Sequence, residues 1–238
     1  MSSIFLAAQD GDCARLRAFL GEGQDVNARS NLSGFTPLHL AAGNSQSDAV
    51  ALLLEHGADV GSRRTGFGST PLHMAARENC PRCIALLLAA GADVNAKRTS
   101  DSSTPLITLV PCGAFPHKKI ACASLLIQAG ARVNDANNYG ETPIWVAVRE
   151  GHRKLAKLLL RAGAVIPNHW PAGFSYSEWN QSEYVRRLID QVKARGGWRE
   201  HARAHKRVLV GLVTKCKPGF PDDAAGLVVE FWCPPGGF

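Results

Sequence analysis

The chain has 238 residues, 45% apolar and 20% charged, proportions of an ordinary soluble globular protein with length enough for one elongated domain or two small ones. No stretch comes near the roughly 18 uninterrupted apolar residues of a membrane helix, so no membrane span is expected, and seven cysteines at irregular spacing argue against a disulfide framework and for a reducing compartment. The formal charge of +7 is moderate and uneven: residues 184–217 hold ten basic residues against Asp190 and Glu200. That balance suits an acidic partner or a phosphate backbone, and more simply a solvated basic helix face.

The first stretch, MSSIFLAAQDGDCARLRAFL, lacks a basic n-region and is interrupted by Asp10 and Asp12. It reads against a secretory signal, and with the cysteine usage the expectation is an intracellular protein, cytoplasmic or nuclear. Beyond it a pattern recurs. Thr36-Pro37, Thr70-Pro71, Thr104-Pro105 and Thr142-Pro143 follow one another at intervals of 34, 34 and 38 residues. Gly23, Gly57, Gly91, Gly130 and Gly163 keep step, preceded from the second onward by leucine-rich runs such as ALLLEHGAD and ALLLAAGAD. A period in this range marks stacked supersecondary units, each unable to bury its apolar face alone.

The chemistry of one unit is readable. Thr70 is suited to an N-cap and Pro71 to the first helical turn, where its missing N–H costs nothing. Leu72, Ala75 and Ala76 then share one face, the alanines permitting close approach of a neighbouring helix. Asn79-Cys80-Pro81 ends that helix; Ile84, Leu87 and Leu88 form the stripe of a second, which stops at Gly91, a residue fit for the left-handed C′ position. The polar ADVNAKRTSDSS that follows is a loop.

Thr-Pro-Leu-His-x-Ala-Ala, the Leu-Leu-Leu run and Gly-Ala-Asp-Val-Asn together resemble the ankyrin-repeat family, over residues 1 to about 167. The resemblance implies an all-α solenoid of helix-turn-helix units with protruding loops: an N-terminal cap over about 1–26, carried by Ala7-Ala8, Phe19-Leu20 and Gly23, then four repeats opening near Phe35, Ser69, Ser103 and Glu141. It also implies that His39 and His73 of the TPLH motif support loops by hydrogen bonding. The first three loops carry one residue more than the family's usual 33-residue period. The fourth unit departs further, with five residues inserted within 109–122 and Ile107 in place of the histidine. There Pro111 and Gly113 should stop the first helix early and leave an exposed loop carrying Phe115, His117, Lys118 and Lys119.

Residues 168–238 read as a separate helical extension. Trp170, Phe174, Tyr176 and Trp179 are expected to cover the open end of the stack, followed by helices over 183–195 and 198–214 and a short one over 221–232. Leu212 and Cys216 have the spacing of a SOCS-type box, and Phe220-Pro221 loosely matches its second element. Pro218-Gly219 cuts the helix, however, and the second proline is missing.

Chemistry-bearing residues are sparse. Cys80 and Cys83 form a Cys-x-x-Cys with no second pair to complete a zinc site, in places where small apolar residues are routine. His201 and His205 lie one helical turn apart, but His205 falls on the apolar stripe and only Cys216 offers a third ligand. No phosphate loop, nucleophile elbow or His-Glu-x-x-His is present. We read the chain as not an enzyme, with no cofactor and no metal.

The resemblance implies partner binding on a concave face of loop tips and first helices. Arg29, Arg63 and Lys97 align at one repeated tip position, Arg64 and Arg98 stand beside two of them, and Phe35, Phe67 and Tyr139 supply aromatics. Arginine and aromatic residues concentrate binding energy, and positive charge speeds encounter with an acidic partner. The expectation is a non-catalytic, monomeric protein-protein interaction module for a protein partner of acidic or mixed surface. Two alternatives are weighed beside it: a ubiquitin-ligase substrate adaptor acting through the SOCS-like tail, and a binder of RNA or anionic surfaces through 184–217, with Trp198 for stacking.

Overall fold

The computed structural model describes residues 3–31, 33–110 and 116–165, with Ala194 beyond them. Expectations for the tail, including the covering aromatics, the SOCS-like box, His201, His205 and the basic segment 184–217, lie outside the described residues. Among the described residues of the stack there are ten helices and no strand, arranged as five helix pairs. They are α1 (Ile4–Asp10) with α2 (Cys13–Gly21), α3 (Pro37–Gly43) with α4 (Ser47–Glu55), α5 (Pro71–Arg77) with α6 (Pro81–Ala89), α7 (Pro105–Leu109) with α8 (Pro116–Gln128), and α9 (Pro143–Arg149) with α10 (Arg153–Arg161). The fold is an all-α repeat stack.

Each helix begins and ends where local chemistry dictates. Thr36, Thr70, Thr104 and Thr142 are the N-caps of α3, α5, α7 and α9, in extended backbone, with proline at the first helical position behind each. Such a cap contributes about 1 kcal/mol. Gly57, Gly91, Gly130 and Gly163 follow the second helices at φ between +81° and +89°, the left-handed region open to glycine.

Helices α1, α3, α5, α7 and α9 form one row and the even-numbered helices the other. Alanine at Ala41, Ala42, Ala75, Ala76 and Ala147 is fully buried and lets the first row close up, while Leu53, Leu87, Leu126 and Leu159 fill the space behind it. Burying each of those leucines stabilises the stack by roughly 1.5–3 kcal/mol.

Polar struts join one unit to the next. Asn27 donates from Nδ2 to the Gly57 carbonyl and accepts from the Asp59 N–H; Asn95 does the same with Gly130 and Arg132, and Asn134 with Gly163 and Val165. Gly61 occupies the corresponding place after the second unit, α3 with α4, so that junction lacks the pair. The loop tips are also tied directly: the N–H groups of Thr65, Thr99 and Asn138 donate to the carbonyls of Ser33, Phe67 and Asp101.

The fourth unit corrects one expectation. Helix α7 does stop after five residues, but α8 begins at Pro116, so His117, Lys118 and Lys119 are helical rather than part of an exposed loop. His117 and Lys118 face solvent, whereas Lys119 is 2% exposed. Its Nζ donates to the Val110 carbonyl at 2.8 Å and to His152 Nε2 at 2.6 Å. Shortening α7 frees the Val110 carbonyl, and the lysine takes it as a partner. Phe115 lies outside the described residues.

Candidate functional site

Each loop tip is a narrow finger closed at its base by backbone bonds. Ser30 N–H donates to the Phe35 carbonyl, Arg64 N–H to Ser69 and Arg98 N–H to Ser103; the returning Gly34, Gly68 and Ser102 N–H groups donate to Ser30, Arg64 and Arg98. Gly34 and Gly68 sit at φ +60° and +64°, and a Cβ at Gly68 would lie 2.7 Å from the Thr99 backbone nitrogen. Glycine there lets one finger lie flat against the next.

The eight anticipated residues divide into three groups. Arg29, Arg63 and Lys97 are exposed at equivalent places, and each reaches toward the following unit. Arg29 Nη1 donates to the Arg63 carbonyl at 2.8 Å, and Arg63 Nη1 donates to the Lys97 carbonyl at 2.7 Å and to that of Gly68 at 3.2 Å. Lys97 Nζ lies 3.7 Å from Asp135. The repeated basic position thus ties finger to finger while leaving its charge at the surface.

The second group is brought together. The Arg64 guanidinium lies 4.3 Å from the Phe35 ring centre and 4.6 Å from that of Phe67, a cation held between two aromatic faces. Phe67 is 52% exposed. Arg98 is neighbour to this cluster but is paired in bidentate fashion with Asp101. Burial tends to raise the Asp101 carboxyl, but hydrogen bonds from Arg98 and Ser103 outweigh it and hold it at about 2. Tyr139 stands apart on the fourth finger, 69% exposed.

Residues not anticipated complete the surface. Met74 and Arg77 of α5 and Thr108 of α7 join Arg64, Phe67 and Arg98 around a cavity of about 250 Å³. Met74 and Arg77 are spaced i, i+3 on the side of α5 that the Leu72, Ala75 and Ala76 stripe leaves open. Reading the complement of that stripe would have pointed to them. Burial first, then the charges of Arg77 and Arg98, weakens the hold of Arg64 on its proton.

His39 and His73 serve the scaffold behind these tips. Each Nε2–H donates to the carbonyl of the next unit's loop, Ser69 or Ser103, at 3.0 Å. Each Nδ1 accepts from the hydroxyl and the N–H of its own N-cap threonine, Thr36 or Thr70. Burial, opposed by the bond to the carbonyl, lowers both rings to about 4. They are neutral struts at neutral pH.

Cys80 caps α6, accepting the Cys83 N–H, and its Sγ lies 2.7 Å from that of Cys83. The shared bond draws the Cys80 thiol down to about 6 and, with burial, pushes Cys83 upward. Among the described residues no three His, Cys, Asp or Glu side chains are grouped to hold a metal ion, and no helix is long and apolar enough to cross a membrane.

No curated protein matches the chain. The family model described as ankyrin repeats, in three copies, matches residues 4–98 and again 97–169. The matched span takes in all five helix pairs, the Thr-Pro caps and the loop fingers, and with them the greater part of the sequence: the chain belongs to the ankyrin-repeat family.

Proposed function

We propose that the chain is a non-catalytic module that binds a partner protein of acidic surface on its finger tips and first-row helices. Ankyrin repeats are, as a family, protein–protein interaction modules and typically without catalytic activity. The reading rests on one observation: successive finger tips present exposed basic side chains, Arg29, Arg63 and Lys97, with Arg64 held between Phe35 and Phe67 beside them and without a carboxylate partner among the described residues. A rigid, aromatic-flanked guanidinium with its charge unmatched is the type of group that anchors an interface. The row of Arg29, Arg63 and Lys97 beside it supplies a positive field for encounter.

The test is affinity capture with the full chain from native lysate, followed by lysine-directed cross-linking and mass spectrometry. Lys97 marks the finger tips; Lys193, Lys206 and Lys215 mark the tail. Cross-links from the partner to Lys97, and loss of capture in the triple variant Arg64→Glu, Lys97→Glu, Tyr139→Ala, are the expected result. A partner that the variant retains, cross-linked only to the tail lysines, overturns the reading.

A further inference from the structure

The cavity between the second and third fingers carries the inference furthest, because its charges do not balance. Three guanidinium groups line it, those of Arg64, Arg77 and Arg98. Arg98 is answered by Asp101 and Arg77 by Glu78, at 2.9 Å. Arg64 is met only by the faces of Phe35 and Phe67: among the described residues no carboxylate pairs with it, no acceptor meets its guanidinium, and its Nε is covered without a hydrogen-bond partner. One positive charge is therefore left over in a half-enclosed site, beside two others of like sign. The Arg64 Nη nitrogens have neither a protein acceptor nor that cover, and are the donors an incoming acceptor can reach.

We propose that this cavity seats one carboxylate, a glutamate or aspartate side chain of the bound protein, on Arg64. The proposal rests on the interaction reading above and names the chemistry its partner must offer there. Size comes first: about 250 Å³ falls below the ~300–1,000 Å³ of clefts that enclose a whole small molecule, and suits a single side chain. Charge comes second. The uncompensated charge is one, and Asp101 and Glu78 stand close by, so a monoanion is favoured over a phosphate dianion. Shape comes third. The rings of Phe35 and Phe67 hold the guanidinium plane, so its fork is ordered before anything binds, and Phe67 and Met74 offer apolar surface to the methylene groups behind a carboxylate.

The experiment is an NMR titration of the ¹⁵N-labelled full chain at constant ionic strength. The probes are N-acetyl-glutamate N-methylamide, its glutamine counterpart and its phosphoserine counterpart, each taken into the tens of millimolar. Arginine Nε–H signals are assigned with the Arg64→Gln variant, whose fold is checked by its melting curve. The glutamate compound should shift the Arg64 signal and the Phe67 and Thr108 amides in a saturable way. The glutamine compound should bind about tenfold more weakly or worse, as befits loss of a charge-assisted bond. Arg64→Gln should abolish the response, and Phe67→Ala, a change at an exposed side chain, should weaken it several-fold.

Equal binding of glutamate and glutamine compounds, shifts that never saturate, or no shift at all would overturn the proposal. Tighter binding of the phosphoserine compound would overturn its commitment to a carboxylate. The two readings fail separately. A captured partner that survives Arg64→Gln and is lost with Lys97→Glu and Tyr139→Ala leaves the interaction reading standing and removes the carboxylate seat. A saturable glutamate response with capture confined to the tail does the reverse.

Discussion

Single residues in this chain do unit-to-unit work that their exposure conceals. Arg63 is a surface side chain, yet one of its nitrogens spans two fingers by bonding the Lys97 and Gly68 carbonyls. Charged donors of this kind contribute more than neutral ones. Arg63→Ala should therefore destabilise the chain by about 1–2 kcal/mol in urea unfolding, where an ordinary surface substitution stays within about 0.5. A cost no larger than the latter would show that the bonds exchange freely with water. The opposite experiment uses Gly61. It stands where Asn27, Asn95 and Asn134 each join the next unit by two bonds, its φ is not in the left-handed region, and only the Asp59 side chain comes within 4 Å of the place a Cβ would take. Gly61→Asn should add bonds to the Gly91 carbonyl and the Asp93 N–H and reduce the freedom of the unfolded chain. The expected gain is about 1 kcal/mol; a neutral or destabilising result would mean that the asparagines follow from the stacking rather than supporting it.

At the scale of the element, the fingers depend on close backbone approach more than on side-chain packing. Gly68 combines a φ of +64° with a backbone nitrogen 2.7 Å from where its Cβ would be. Gly68→Ala must strain its own backbone and push the third finger away, at a cost of about 2–3 kcal/mol. Hydrogen exchange should show faster amides at Thr99 and Phe67; unchanged protection there would count against finger contact as the cause. These elements also mark where sequence reading succeeds. The Thr-Pro starts, the glycine stops and the alanine stripes are local signals, so the five units, their register and the all-α class are legible in the sequence alone. Burial of Lys119 was not, because it depends on where α8 restarts after a shortened α7 and on a carbonyl that α7 leaves open. The alignment of Arg29 with Arg63 was legible too. That each would grasp the next finger's backbone was not, since this depends on the offset between units in space. Met74 and Arg77 carry no loop signal: they stand on a first-row helix, and the first-row helices also line the cavity.

Over the whole molecule, stability in a stack of this kind is a sum over neighbouring units, and the two histidine struts sit at successive junctions. His39 ties the second unit to the third and His73 ties the third to the fourth; the equivalent places beyond hold Ile107 and Trp145. In each strut Nε2–H faces a carbonyl, and Nδ1 must accept from a backbone N–H. Protonating Nδ1 would set donor against donor inside the protein. Both rings are lowered to about 4, against 6.5 when unfolded. The stability they confer is complete above pH 6.5 and is lost as pH falls from 6.5 to about 4, because there the unfolded chain takes up protons that the folded chain refuses. His152 moves in the same direction, through burial and then the nearby Lys119 charge. Each histidine weakens the fold by about 1.4 kcal/mol per pH unit inside that window, hence nearly 3 for the pair. Asp101, held at about 2, gives way only below the ordinary carboxylate range and leaves the window clear. Denaturant melts at pH 7.0, 6.0 and 5.0 should show about half that slope in the first step and approach it in the second, and ring-proton NMR should find His39 and His73 still neutral at pH 5. The loss should also have a place. Hydrogen exchange should lose protection between pH 7 and pH 5 at the junctions among the second, third and fourth units, and where His152, the N-cap of α10, meets Lys119, more than between the α1–α2 and α3–α4 pairs, which no histidine bond crosses among the described residues. Uniform loosening along the stack, or either ring titrating near 6.5, would remove the histidines as the cause.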